Sequence, residues 1–155
     1  MPVVALITKK KEILVYDIQK DKVINYLQGH TNPIIKIIPD SKSTTNFFSL
    51  CTANKIIFWR YSVDKWIPKV YEFSKILQND TLFNENKHSY NITDFVIYTT
   101  RDELYVSDSL GRILIVEIKT GELVETHFMY RLPIFKIELS PNLSYLVVLY
   151  TTGAL

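Results

Sequence analysis

Two stretches of the chain, EILVYDIQKDKVINYLQGHTNPIIKI at residues 12–37 and RILIVEIKTGELVETHFMYRLPIFKI at residues 112–137, align with each other without a gap. Seven of the 26 paired positions are identical, among them Ile13 with Ile113 and Leu14 with Leu114. The match covers two strand-like runs and the link that follows them, so a whole supersecondary unit is repeated 100 residues later. Internal repetition of this kind predicts a fold built from similar, stacked units.

A further copy lies between these two. The run Ile56-Ile57-Phe58-Trp59-Arg60 resembles the runs that end at Asp17 and Glu117, and the three ends lie 43 and 57 residues apart. Roughly 40–45 residues is the period of a propeller blade with four strands. Residues 74–89 are polar and lack apolar alternation, so we expect the excess there, as a mobile surface loop that includes at most a short helical turn at 75–77. Its deletion is expected to leave stability nearly unchanged, because closure entropy grows slowly with loop length.

Short runs rich in β-branched and aromatic residues, separated by turn residues, predict an all-β chain. Thirteen strands are predicted, at residues 3–7, 12–17, 23–27, 33–38, 47–52, 55–60, 66–73, 93–98, 103–107, 112–118, 122–127, 134–139 and 145–150. The repeat groups them into blades of four antiparallel strands. Blade 1 covers about 1–28, blade 2 about 29–73, an insertion 74–89, blade 3 about 90–128, and the start of blade 4 129–155.

Turn residues separate the predicted strands at equivalent places. Ala53-Asn54 and Leu110-Gly111 lie in one hairpin of the second and third blades, and Lys20-Asp21 and Thr120-Gly121 lie in the following hairpin of the first and third. Asn and Gly tolerate the positive φ angles of tight hairpins. No segment has a strong apolar period of 3.6 residues, which disfavours a helical repeat.

Gln28-Gly29-His30 is followed by Trp59, 29 residues after the histidine. This spacing resembles the frame of WD repeats, in which a Gly-His pair precedes a Trp-Asp pair. Residues 107–113 (SDSLGRI) and 119–124 (KTGELV) are similar to the inner hairpins of that family. The resemblance covers nearly the whole chain and implies a divergent WD-repeat β-propeller of about three and a half blades, an incomplete ring. It implies structural repeat positions at Gly29, His30, Trp59, Gly111 and Gly121.

The chain departs from the family at one hairpin position. WD repeats pair the Gly-His histidine with a hairpin Asp shortly before the Trp, and that place holds Lys10, Ala53 and Leu110 here. We therefore expect the buried network of His, Asp, Ser or Thr, and Trp to be incomplete in every copy, and half-satisfied polar networks stabilise poorly. On this basis replacement of the buried Trp59 by Ala should lower the stability of the protein by about 3–5 kcal/mol. Replacement of His30, a structural histidine, by Ala should lower it by only about 1 kcal/mol.

Composition restricts the classes of function. The 155 residues are 47% apolar and 22% charged, and a net charge of +2 is too small to indicate nucleic-acid binding by itself. The single cysteine, Cys51, cannot pair within the chain, which fits a reducing, intracellular compartment, either cytoplasm or nucleus. Its apolar strand predicts a buried, inert thiol. No apolar run approaches the roughly 18 residues of a membrane helix, so no membrane contact is expected.

No group of residues meets the requirements of an active or metal site. His88 and His127 lack neighbours at metal-ligand spacing, and the sequence contains no Gly-rich phosphate loop or nucleophile elbow. We interpret Lys9-Lys10-Lys11 as a solvated hairpin tip, and Asp102-Glu103 and Asp108 as turn residues. We therefore predict no catalytic residue, no cofactor and no metal.

These features predict a non-catalytic scaffold for protein–protein interaction, in a larger WD-repeat protein or a multiprotein complex. We expect further blades or another chain to close the ring, because open strand edges and apolar faces aggregate. Trp66 is predicted either to contact a partner protein, as tryptophan often does at interfaces, or to pack on the neighbouring blade.

Three other functions stay open, because fold alone does not specify function. One is a scaffold subunit of an RNA-containing particle of the ribosome-assembly type, which would bind RNA in a salt-sensitive way. Another is a cytoskeletal or ciliary scaffold. The third is a propeller enzyme with its site at the central channel, where the repeated Pro-Ile-Ile/Phe-Lys-Ile runs offer only Lys36 and Lys136.

Overall fold

A computed structural model describes residues 3–8, 11–128 and 130–151. All thirteen predicted strands are present, with ends within two residues of those expected, so the all-β prediction is confirmed. The elements are β1 (Val3–Ile7), β2 (Ile13–Asp17), β3 (Lys22–Leu27), β4 (Ile34–Pro39), β5 (Phe47–Cys51), β6 (Lys55–Ser62), β7 (Lys65–Glu72), α1 (Phe73–Ile76), α2 (Thr81–Glu85), β8 (Ile92–Tyr98), β9 (Glu103–Asp108), β10 (Arg112–Glu117), β11 (Leu123–Phe128), β12 (Ile134–Leu139) and β13 (Leu146–Tyr150).

The chain divides into two compact units, Met1–Phe73 and Ser74–Leu155. The first unit contains a three-stranded sheet in the order β1-β2-β3 and a four-stranded sheet in the order β4-β5-β6-β7. The second contains a four-stranded sheet in the order β11-β10-β9-β8 and a two-stranded sheet of β12 and β13. Neighbouring strands are consecutive in sequence and antiparallel, because short hairpins can join strands only in that orientation. The blade boundaries given above stay a prediction.

The core of the first unit follows from the alternation of side chains along its strands. In β2 the side chains of Ile13, Val15 and Asp17 are buried, while Leu14 and Tyr16 between them are half-buried. One cluster joins the inner faces of both sheets and consists of Ile13, Val15, Leu27, Ile34, Phe47, Cys51, Ile57 and Trp59. The predicted burial of Trp59 and of the Cys51 thiol is confirmed.

In the second unit the central strand β10 is buried on both faces, from Arg112 to Val116. Ile113 forms a cluster with Ile134 and Ile137 of β12, and Val96 of β8 packs against it. Continuous burial explains why β10 is a nearly unbroken apolar run, since both faces of the strand are covered.

The predicted repeat is confirmed in detail. The matched residues 13–17 and 113–117 lie in β2 and β10, and each strand pairs with the strand that follows it. An irregularity interrupts both pairings at the same place, between Val15 and Tyr16 and between Ile115 and Val116. The matched segments are therefore the same strand–hairpin–strand–link unit.

Four hairpin residues adopt the positive φ angles that their types allow. Asp21, Asn54, Gly111 and Gly121 have φ angles of 50°, 57°, 81° and 76°. All four belong to the turns that the sequence marked, so the predicted hairpins are confirmed.

The prediction of a surface loop at residues 74–89 is wrong. The segment contains most of α1, near the short helical turn considered at 75–77, and all of α2. Asp80 caps α2, because its Oδ1 accepts a hydrogen bond from the Phe83 amide at 2.6 Å. Leu77 and Phe83 are buried, and the Phe83 ring meets Tyr90 edge-on at 4.9 Å. Leu77 and Phe83 are isolated apolar residues among polar ones, so the sequence pattern did not indicate their burial. Because both are buried, we no longer expect deletion of the segment to leave stability nearly unchanged.

Candidate functional site

The first unit contains a buried polar relay of His30, Ser49 and Trp59. Ser49 is fully buried at the centre of β5, opposite Ile57 of β6. Its hydroxyl oxygen lies 2.7 Å from Nε2 of His30 and accepts a hydrogen bond from the Trp59 indole at 2.8 Å. Strand pairing sets this geometry, because it holds β5 and β6 in register.

The relay corrects one expectation from the sequence. His30 does have a buried hydrogen-bond partner, Ser49, so more of the polar network is present than predicted. We therefore expect His30→Ala to cost more stability than the sequence suggested. The other ring nitrogen, Nδ1, is buried without a hydrogen-bond partner. In WD repeats a hairpin Asp pairs with this histidine. Ala53 stands at that position here, which agrees with the lack of a partner for Nδ1. The counterpart Lys10 lies outside the described residues.

Burial gives the His30 ring its electrostatic character. Desolvation, with a smaller contribution from the Lys55 charge, lowers the pKa of His30 from 6.5 to about 4. The ring is therefore neutral near pH 7, and it joins the relay as a structural group. A neutral imidazole beside a serine hydroxyl can activate a nucleophile, but Ser49 is fully buried and its hydroxyl accepts the Trp59 indole N–H, which favours a structural role for the pair.

Gly29 lies directly against the relay. A Cβ atom at this position would be 3.1 Å from Cη2 of Trp59 and 3.2 Å from Cδ1 of Ile57. Both distances are shorter than ordinary van der Waals contacts, so any side chain would push on the buried indole. Close approach of backbone and indole explains the glycine beside His30.

The second unit contains a buried charged cluster that the sequence analysis missed. Oδ1 of Asp108 accepts hydrogen bonds from the amides of Leu110 and Arg112 at 3.0 and 2.9 Å, which confirms its interpretation as a turn residue. Its Oδ2 also accepts from Nε of Arg112 at 2.9 Å and from the Tyr90 hydroxyl at 3.2 Å. Nη1 of Arg112 lies 2.9 Å from each carboxylate oxygen of Asp80.

This cluster connects the β9–β10 hairpin to the cap of α2. Desolvation raises the pKa of Asp108, against the opposing effect of its hydrogen bonds with Arg112. Burial has the largest single effect and disfavours the Arg112 cation, but the charges and hydrogen bonds of Asp108 and Asp80 together outweigh it and raise the pKa of Arg112. One member of the cluster could have been identified from the sequence, because Arg112 is a charged residue directly before an apolar run. No local pattern indicates its partner Asp80, which lies 32 residues away in sequence.

Gly111 in the same hairpin is required by a close backbone approach. A Cβ atom there would be 1.9 Å from the Tyr130 carbonyl oxygen and 2.8 Å from that of Leu132. The residue also has a φ of +81°, which L-residues rarely adopt. Gly121 lies in the next hairpin, and the roles of all five repeat positions stay predictions.

Trp66 is half-buried and packs against the first core cluster. Its ring lies 5.3 Å from the Phe47 ring and 5.1 Å from the Tyr61 ring, measured between centroids. Its indole nitrogen is buried without a hydrogen-bond partner. These contacts agree with the packing alternative, and a role in binding a partner stays a prediction.

Strands β4, β8 and β12, each the first in sequence of its sheet, place different residues at one equivalent position. Lys36 of β4 is half-buried and Lys136 of β12 is exposed, but the corresponding residue of β8 is Asp94, which is buried. A pairing irregularity precedes each of these residues in its sheet. Oδ2 of Asp94 accepts a hydrogen bond from the Ile137 amide at 2.9 Å, which ties β8 to β12. The two lysines share a repeated sequence motif, whereas Asp94 lies outside it and had no such signal in the sequence.

The described residues contain no group of three or more His, Cys, Asp or Glu side chains placed to hold a metal ion. Within residues 3–8, 11–128 and 130–151, neither helix has the length and apolar character to cross a membrane. His127 forms an exposed pair with Glu125 at 2.9 Å. Of the predicted lysine-rich hairpin tip, Lys11 is exposed, and Lys9 and Lys10 fall outside the described residues.

Comparison with known proteins supports the fold. No family model and no curated protein sequence matches the chain. Among solved structures, the chain is similar to the β-propeller domain of Cps50 (Swd1) from Myceliophteria thermophila, with a TM-score of 0.72 and 14% sequence identity. The match covers 95% of this chain and 47% of that one, so the chain spans about half of the domain that it resembles. The chain therefore has the fold of a partial β-propeller, as its resemblance to WD repeats implied.

Proposed function

We propose that the chain is a non-catalytic scaffold that binds other proteins. The observation that carries this proposal is an exposed apolar face on the sheet of β12 and β13. Phe135, Val147 and Leu149 are 61%, 54% and 54% exposed, whereas Ile134 and Ile137 of the same sheet are buried. Contiguous exposed apolar surface on a folded domain marks interaction sites.

The charges on this face favour a protein partner over nucleic acid. Leu149 pairs with Lys136 across the two strands, and Val147 pairs with Glu138, so these four side chains share one face. One cation and one anion leave the face without net charge. Nucleic-acid binding surfaces instead concentrate positive charge along the phosphate backbone.

Partner capture by the tagged chain from its native cells tests this function. The double variant Phe135→Ser with Leu149→Ser should reduce recovery of a stoichiometric partner at least about tenfold, which corresponds to roughly 1.4 kcal/mol. Tyr26→Ser in the first unit, where Tyr26 is 57% exposed, is the matched control and should retain the partner. Equal recovery with both variants would refute the proposal.

The same experiment separates the alternative assemblies. Nuclease treatment and a salt titration should leave capture unchanged if proteins are bound directly. Release of the partner by nuclease would instead identify an RNA-containing particle, whose binding must weaken steeply with salt. Recovery of tubulin-type or actin-type filaments would identify a cytoskeletal scaffold.

A further inference from the structure

The β6–β7 hairpin differs from its two counterparts in the repeat. Strands β6 and β7 have eight residues each, whereas β2, β3, β10 and β11 have five or six. Arg60 stands where the other two copies have Asp17 and Glu117, so a cation replaces an acid at this position. Both strands belong to the four-stranded sheet β4-β5-β6-β7, which has another sheet before it and another after it in the chain.

One face of the hairpin combines cations with an exposed aliphatic side chain. Arg60 pairs with Ile67 across the two strands, and Ser62 pairs with Lys65, so these four side chains share a face. Lys69 lies two residues beyond Ile67, on the same face, and is half-buried. Arg60 and Lys65 are exposed, and Ile67 is 42% exposed. The face therefore presents three cations around one apolar side chain.

The acid in the hairpin turn is engaged on the opposite face. Oδ1 of Asp64 accepts a hydrogen bond from the Tyr61 hydroxyl at 3.1 Å, and Tyr61 pairs with Trp66 across the strands. Side chains alternate along a strand, so Tyr61 and Trp66 lie on the face away from Arg60. The residues of β6 and β7 on the cationic face include no Asp or Glu. Within the described parts of the chain, Arg60 and Lys65 form no ion pair.

The turn of the hairpin exposes an apolar residue in a strained backbone conformation. Val63 and Asp64 are its two central residues, with φ angles of +48° and +59°. Asn and Gly are the residues that suit such turns, and a β-branched residue adopts a positive φ only with strain. The corresponding turns of the repeat have Asp21 and Gly121 at positive φ. Val63 is 89% exposed, so its side chain makes no buried contact that offsets the strain, which is typical of positions with a function.

We propose that the β6–β7 stripe, made up of Arg60, Val63, Lys65, Ile67 and Lys69, binds an acidic segment of a partner protein. Carboxylates of the segment pair with the cations, and an aliphatic or aromatic side chain between them packs on Val63 and Ile67. The unopposed positive charge selects an acidic partner, because complementary charges steer association and like charges disfavour it. This site goes beyond the scaffold function proposed above, since it is a second surface with a partner of defined chemistry.

The apolar part of the stripe favours a protein segment over nucleic acid. Single-stranded nucleic acids bind where aromatic rings stack on the bases beside cations. The rings of Tyr61 and Trp66 pack against each other on the other face of the hairpin, at 5.1 Å between centroids. The stripe instead offers the aliphatic side chains of Val63 and Ile67, which suit the apolar side chains of a peptide.

Selection from a random peptide library displayed on phage tests the chemistry of the partner. Peptides are selected on the tagged chain after depletion on its Ile67→Ser variant. We expect the enriched peptides to combine several acidic residues with an aliphatic or aromatic one. A lack of enrichment over the depleted pool, or a consensus without acidic residues, overturns the proposal.

Anisotropy titrations with the most enriched peptide then measure each part of the stripe. Ile67→Ser and Lys65→Glu should each weaken binding at least about tenfold. The matched variants Val124→Ser and Lys87→Glu, at exposed sites of the second unit, should bind normally. Binding should also weaken as salt is added, because exposed charges are screened. Equal affinities of Lys65→Glu and Lys87→Glu contradict the proposal.

Competition identifies a ligand of another class. Poly-uridine RNA and phosphatidylserine vesicles are titrated against the bound peptide. Neither should displace it from the wild-type chain at charge concentrations that match the peptide. Displacement that Lys65→Glu abolishes would assign the stripe to nucleic acid or to a membrane and overturn the proposal.

Val63→Asn separates binding from folding at the turn. Asn tolerates a positive φ, so this variant should melt at a higher temperature than the wild-type chain. It should nevertheless bind the peptide several-fold more weakly, because the apolar contact is lost. Unchanged affinity in a stabilised Val63→Asn would mean that the strained side chain has no role in binding, contrary to the proposal.

The outcome is distinguishable from that of the scaffold test. The double variant Phe135→Ser with Leu149→Ser changes the sheet of β12 and β13 and should leave peptide binding unchanged. Failure of the peptide experiments with intact partner capture removes only this inference. Loss of partner capture with intact peptide binding removes only the function proposed for the β12–β13 face.

Discussion

Replacement of Ser49 by Ala tests the buried relay most directly. The serine is fully buried, and its hydroxyl is the partner that Trp59 and His30 share. Alanine keeps the backbone and nearly the volume, so the variant deletes the hydrogen bonds with little change in packing. The Trp59 indole N–H then has no acceptor, and both nitrogens of His30 lack a partner instead of one.

The expected loss follows from those two groups. A buried donor or acceptor left without a partner costs about 1–3 kcal/mol, more than the net contribution of the bond itself. Trp59 is only 2% exposed and His30 only 7%, so water cannot replace the hydroxyl for either ring without a rearrangement. We therefore expect Ser49→Ala to lower the free energy of unfolding by about 2–6 kcal/mol.

Urea denaturation followed by tryptophan fluorescence measures this loss selectively. Both tryptophans of the chain, Trp59 and Trp66, belong to the unit Met1–Phe73, so their emission reports the unfolding of that unit. Ser41→Ala, at an exposed serine of the same unit, is the matched control and should change stability by less than about 0.5 kcal/mol. Hydrogen exchange of the Trp59 indole should also become faster in Ser49→Ala.

One result would refute the reasoning. If Ser49→Ala loses no more stability than Ser41→Ala, the hydroxyl does not hold the two rings, and the relay contributes nothing to the fold. The same data set includes His30→Ala, which we now expect to cost about 1–3 kcal/mol, because Ser49 loses one of its two partners.

Three further predictions concern pH, a glycine and the charged cluster. The lowered pKa of His30, about 4 against 6.5, means that the folded state disfavours the cation. The neutral His30 ring therefore contributes its full share to the free energy of unfolding above pH 6.5, and this free energy falls by about 2–3 kcal/mol as the pH decreases towards 4. In a urea titration series, His30→Gln should remove that part of the pH dependence. Gly111→Ala should cost about 3 kcal/mol or more in thermal unfolding, and Gly121→Ala, at a similar φ, clearly less; equal losses would contradict the Tyr130 contact. Asp80→Asn should destabilise the second unit by about 2 kcal/mol, measured by circular dichroism, because it removes the charged partner of buried Arg112. The exposed Glu85→Gln is its control and should be neutral.

Local patterns predicted most of the fold. Alternating apolar residues predicted strands β2 and β6, and hairpin residues such as Asn54 and Gly111 predicted the turns between strands. Both could be predicted because side-chain alternation and backbone φ preferences depend on neighbours in sequence. The match of residues 12–37 with 112–137 then predicted repeated sheets. Comparison with a solved propeller agrees with that interpretation.

Only the tertiary structure decided the polar interior and the segment after β7. His30 reaches Ser49 across 19 residues, and Arg112 reaches Asp80 across 32, through packing that no local pattern encodes. Leu77 and Phe83 are separate apolar residues in a polar segment, and both are buried in the fold, Leu77 directly after α1 and Phe83 within α2. Short-range preferences act within a few residues, whereas a buried hydrogen bond depends on which distant group the fold brings within about 3 Å.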